Sequence, residues 1–129
     1  MDMDVRNSTL VEPVVEHNGT TPVWYLVEPR EMQRLTDGGF LELVNEFEVR
    51  PGGRVDPHSH PTHEFYFVTG GDGVMTIDGE DRTVGPGDLI YIPPDLVHSL
   101  RSEPAETTIR CFCFAVAVRG AGPIDYTTH

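Results

Sequence analysis

The sequence predicts an all-β fold, a small sandwich or barrel, and three observations carry that expectation. Short apolar segments recur at regular spacing, 13 Gly and 11 Pro punctuate them, and only one brief stretch has helical character. With 129 residues the chain is long enough for one hydrophobic core and too short for two, so a single domain over residues 1–129 with one principal site is expected.

Taken in order, the candidate strands begin with PVWYLV at 22–27, and REMQRL at 30–35 is the short helical candidate. FLELVNEFEV at 40–49 alternates: Leu41, Leu43, Asn45, Phe47 and Val49 share one face, while Glu42, Val44, Glu46 and Glu48 share the other. The odd face is therefore expected inside. Asn45 lies in phase with it, either as a hydrogen-bonded core amide or as a polar group facing a cavity. EFYFV (64–68), GVMTID (73–78), DLIYI (88–92), VHSLRS (97–102) and TIRCFCFAVAV (108–118) complete the strands. Between them RPGGRVDP (50–57), TGGDG (69–73), IDGED (77–81) and VGPGD (84–88) read as turns, with Asp78-Gly79 the clearest hairpin signal. Residues 1 to 20 and the tail GAGPIDYTTH remain open, either mobile or crossing to a second subunit.

Composition excludes several partners. The formal charge is −12 and all nine cations are arginine, so nucleic acid and anionic membranes, which need clustered positive charge, are not expected partners. The absence of lysine removes Schiff-base chemistry. No window approaches the roughly 20 apolar residues of a membrane span, and MDMDVRNSTL lacks the basic and apolar regions of a signal peptide, so a cytoplasmic protein is expected. Cys111 and Cys113 fall on one face of a strand, where a disulfide is disfavoured and burial as small apolar groups is the simple expectation.

Chemistry concentrates in HSHPTHE, residues 58–64, which holds three of the six histidines. His58 and His60 are one residue apart, so in a strand their imidazoles share a side at about 6 to 7 Å, a separation that suits two ligands of one ion. Glu64 opens the next strand and can add an anionic oxygen, and His98 supplies a fourth ligand if its strand lies alongside. His63, adjacent to Glu64, faces the other way by alternation and is expected at the rim, with proton transfer, substrate contact or ligation in place of Glu64 as its functional options.

The run Gly52, five residues, His58, one residue, His60, three residues, Glu64, six residues, Gly71 resembles the first motif of the cupin superfamily. Gly87, five residues, Pro93, then His98 resembles the second. Asp95 stands where the family usually has glycine and Ser102 where it often has asparagine, which bears on turn shape and hydrogen bonding rather than on the ligands. The resemblance, over roughly residues 40–118, implies a double-stranded β-helix, or jelly-roll cupin barrel, with one divalent metal ion held by His58, His60, Glu64 and His98. It also implies a homodimer, and the apolar alternates Phe65, Phe67, Phe112 and Phe114 are candidates to cover either a second sheet or a partner.

Three imidazoles and a carboxylate leave an octahedral ion two open positions, and such mixed ligation suits iron, manganese, nickel, cobalt, copper or zinc. Tyr66 shares the Glu64 face of its strand and is a candidate proton donor or base beside the metal, or else a core tyrosine. Asn45, Phe47, Met75, Tyr91, Cys113 and Trp24 are candidate pocket walls. The expected function is a metal-dependent enzyme acting on a small enolizable, phenolic or carboxylate substrate. A dioxygenase-like oxidoreductase comes first, ahead of redox-neutral Lewis-acid chemistry such as polyketide cyclisation, isomerisation or lyase activity, and of a non-catalytic binding module. Arg101 and Arg110 alternate outward, which argues against a phosphorylated substrate.

Overall fold

The computed structural model describes residues 4, 6–35, 40–118 and 127–128. A short 3-10 turn at Ser8–Leu10 precedes β1 (Val14–Glu16), β2 (Thr21–Val27) and α1 (Pro29–Leu35). Then follow β3 (Leu41–Val49), β4 (Arg54–Ser59), β5 (Thr62–Gly70), β6 (Gly73–Ile77), β7 (Glu80–Val84), β8 (Leu89–Ile92), β9 (His98–Ser102), β10 (Ile109–Ala117) and β11 (Thr127–Thr128). They form two antiparallel sheets, ordered β1-β2-β3-β10-β5-β8 and β11-β4-β9-β6-β7. The fold is the jelly-roll barrel, and no helix among the described residues is long and apolar enough to cross a membrane.

Alternation sets what faces the interior. In β3 the side chains of Leu43, Asn45, Phe47 and Val49 are buried, as period-two patterning requires. The same rule places Tyr66 and Val68 of β5, Ile90 and Ile92 of β8, and Cys111, Cys113 and Ala115 of β10 inside. Opposite them, Val55, Met75 and Leu100 of the second sheet close the core. Glu42 departs from the expected outer face: it is buried, beside the register shift where β10 passes from Ala115 to Val116 against β3.

Four strands that the sequence did not announce have distinct physical origins. The RPGGRVDP segment carries turn residues, yet its second half forms β4; the pairing with β9 skips from Val55–Leu100 to His58–His98, absorbing Pro57, which has no N–H to donate. β7 is polar and largely exposed along an edge, so no hydrophobic pattern marks it. β1 and β11 lie in the segments left open. The Asp78-Gly79 hairpin is present, with φ of 50° and 81°.

Part of the outer face of the larger sheet, toward β5 and β8, is apolar. Phe65 and Phe114 stack at 4.7 Å between ring centroids, and Phe67, Leu89 and Tyr91 are exposed beside them. Arg110 lies outward, bonded to Glu46 at 2.7 Å and to Glu48 at 3.3 Å.

Candidate metal centre

Three strands and one turn bring the four sequence-predicted ligands together. His58 on β4 stands directly opposite His98 on β9, with ring centroids 4.2 Å apart. His60 follows just past the end of β4, its carbonyl held by the amide N–H of Asp95 at 2.9 Å. Asp95 adopts φ 66°, which explains why glycine suits that position: a short polar side chain tolerates the left-handed region better than most. Glu64 enters from β5. One candidate ligand atom from each of the four buried residues lies within 4.8 Å of the others.

Hydrogen bonds fix the imidazole edges. The Nδ1–H of His58 donates to the Asp56 carbonyl at 2.7 Å, and that of His98 to the Leu96 carbonyl at 3.0 Å. A carbonyl can only accept, so both rings carry their neutral proton on Nδ1 and present an Nε2 lone pair inward. His60 Nδ1 pairs with the Thr62 hydroxyl at 2.7 Å, and its Nε2 lies 3.2 Å from Glu64 Oε1. His98 Nε2 sits 3.5 Å from the same oxygen without hydrogen-bond geometry and has no hydrogen-bond partner among the described residues. A lone pair facing a carboxylate is repulsive unless a cation lies between them. That orphaned, 1%-exposed nitrogen and the mixed imidazole–carboxylate donors fit a divalent transition metal.

Electrostatics prepare the same state. Burial, followed by the neighbouring His98, pushes His58 down to about 4, so it is neutral near pH 7. Burial pushes Glu64 up, but His60 and His98 together outweigh it and hold the carboxyl well below its ordinary range.

A cavity of about 390 Å³ opens against this cluster. Its wall includes one cross-strand row, in which Tyr25 pairs with Asn45, Asn45 with Cys113, and Cys113 with Tyr66 across β2, β3, β10 and β5. Phe47 lies one row beyond and meets the Tyr66 ring edge-on at 4.9 Å. Tyr66 is 4% exposed; burial first, and then the Glu64 charge, raise its hydroxyl well above the ordinary value. Burial raises Cys113 likewise.

Other predicted wall and catalytic residues lie elsewhere. Trp24 belongs to the outer parity of β2 and stacks under the Arg110 guanidinium at 4.5 Å. Tyr91 is 45% exposed on the outer face, and Met75 is buried in the core away from the cavity. His63 also points outward, bonding through Nδ1 to the Tyr91 hydroxyl at 2.7 Å, and is not one of the four clustered ligand residues. Trp24, Tyr91 and His63 point outward by strand parity, whereas Met75 points inward to a part of the core outside the cavity wall.

Sequence reasoning missed Glu16, His17 and Tyr25. In PVWYLV both parities are apolar, so alternation could not choose Tyr25 over Trp24. His17 and Asn18 form the β1–β2 turn with φ of 51° and 59°, a left-handed pair before Gly19 that carries no apolar pattern.

Comparisons with known proteins accord with this geometry. The chain is 33% identical over 94 residues to dimethylsulfoniopropionate lyase DddW of Ruegeria pomeroyi, covering 72% of this chain and 62% of that protein. It is 34% identical over 70 residues to quercetin 2,3-dioxygenase of Bacillus subtilis, covering 54% and 20% respectively. The chain thus spans less than two thirds of either relative. The polyketide cyclase RemF of Streptomyces resistomycificus superposes with TM-score 0.70 at 24% identity, over 98% of this chain and 85% of that one, a likeness of fold. The family model for the cupin domain matches residues 45–114, and the chain belongs to that family.

Proposed function

We propose that this protein is a metal-dependent enzyme that carries out redox-neutral proton-transfer chemistry, of lyase or isomerase type, on a small organic anion. The observation that carries the reading is the placement of the Tyr66 hydroxyl, inside the cavity and two residues from the ligand Glu64. A divalent ion held by His58, His60, Glu64 and His98 would supply Lewis acidity toward a substrate oxygen.

The chain's own groups supply the rest. Tyr66 holds a proton at Oη, because its buried site disfavours the phenolate, and is the group that exchanges a proton with bound substrate. Phe47 and Cys113 line the wall and limit water. The similarity to a lyase over 72% of this chain supports the reaction class. Dioxygenase-like oxidation is the second reading, favoured by the similarity to quercetin 2,3-dioxygenase and by a donor set that suits redox-active metals. The apolar outer patch around Phe65, Phe67 and Phe114 supports docking of a second copy in a homodimer.

The test is solvent deuterium exchange followed by NMR, under nitrogen, on enolizable carboxylates with metal-loaded protein. Exchange without oxygen, lost by about 10²-fold or more in Tyr66→Phe at unchanged metal content, is expected. Substrate loss that requires oxygen, with matching oxygen uptake, would select oxidation instead.

A further inference from the structure

We propose that the cavity end formed by Glu16, Tyr25 and Asn45 receives the cationic head of a small zwitterionic substrate, whose anionic end faces the His–Glu cluster. The inference deepens the reading of the metal centre, on which it rests for the anionic end.

The charge pattern of the cavity is one-sided. Three carboxylates line it, those of Glu16, Asp56 and Glu64, and no arginine does. Glu64 belongs to the ligand cluster. Asp56 is already answered, by Arg54 at 3.3 Å and by the Asn18 amide at 3.2 Å. Glu16 differs: its partner is the neutral Tyr25 hydroxyl, which donates to Oε1 at 3.0 Å, and no arginine pairs with it among the described residues. One uncompensated negative charge therefore faces the space.

A second observation at the same end points the same way. Asn45 is 6% exposed, lines the cavity, and its Oδ1 has no hydrogen-bond partner among the described residues. A buried acceptor left bare is costly, so an occupant with an N–H or a polarised C–H there satisfies it. Tyr25 stands opposite Asn45 in register, and because its proton is given to Glu16 its remaining lone pairs also accept. Phe47 and Tyr66, packed edge-to-face, add aromatic surface to the same cavity wall. Carboxylate, bare acceptors and aromatic surface together complement a positive head and repel an anion. A dicarboxylate or phosphate would find no countercharge at this end.

Two probes of one shape isolate the charge: glycine betaine and 3,3-dimethylbutanoate, which differ in a quaternary nitrogen replacing a quaternary carbon. Calorimetric titration of metal-loaded protein should show betaine binding about tenfold more tightly than its carbon isostere, with succinate weakest. β-Alanine, whose head donates N–H bonds, tests whether a primary ammonium serves as well. Glu16→Gln, isosteric and near the edge of the sheet, should cut the preference to about twofold or less while metal content stays at the wild-type level. Equal binding of betaine and its isostere, binding of neither, or a preference that survives in Glu16→Gln would overturn the proposal. Because binding alone is read, these results stand apart from the exchange assay, whose failure would count against the reaction and not the head-group site.

Discussion

Replacing Asn45 with leucine should make the protein more stable while spoiling its pocket. In the wild type the side chain is 6% exposed and its Oδ1 is unpartnered among the described residues, a burial that costs about 1–3 kcal/mol. Leucine also gives up the amide's own hydrogen-bonding capacity toward the cavity, which offsets about 0.5–1.5 kcal/mol. The side chain projects into the cavity, where the added methyl groups meet Tyr25 and Cys113 without overpacking. The net gain is about 1 kcal/mol, which raises Tm by roughly 3–5 °C for a domain of this size. Scanning calorimetry on wild type and Asn45→Leu, each with its metal content measured, reads the shift. A lowered Tm would show that Oδ1 is satisfied in the wild type and would remove one support of the head-group site.

Changing His60 or His98 to alanine should abolish retention of the metal by protein purified without added ions, where wild type is expected to hold close to one ion per chain. His63→Ala should leave metal content unchanged, since its ring bonds Tyr91 on the outer face; elemental analysis decides both. In metal-free protein His58 titrates near 4 against 6.5 unfolded, so the unfolded chain binds more protons between those values and stability falls as pH drops through them. The loss amounts to at most about 3 kcal/mol, and Glu64, held low by His60 and His98, adds a loss in the same direction below its unfolded 4.5. Urea midpoints taken from about pH 7 down to about pH 4.5 should therefore decline; a flat profile would contradict the buried neutral imidazole. Burial pushes the Cys111 thiol up to about 12 and raises Cys113 as well, so neither should react with iodoacetamide in the native protein at neutral pH, whereas both should after denaturation.

The ligand residues were legible in the sequence because their spacing is local. His58, His60 and Glu64 lie within seven residues, and alternation alone separates Glu64 from His63. His98 needed the motif resemblance to join them, and register against β4 then sets it opposite His58. The inward faces of β3, β5 and β10 were likewise readable, since each alternates one apolar parity against a mixed one or lies in phase with the ligands. β4 was hidden by its own Pro and Gly, and β7 by its polarity, since both take their place from neighbours rather than from a pattern.

By itself the chain determined an all-β architecture, the three local ligand residues His58, His60 and Glu64, and an acidic surface, because composition and two-residue periodicity act within a few bonds. Tertiary structure decided that Tyr25 rather than Trp24 lines the cavity, since both parities of β2 are apolar and only pairing with β3 brings Tyr25 to Asn45. It also decided that Glu16 faces a pocket without a countercharge, a property of groups gathered from six strands and one turn that no single segment encodes.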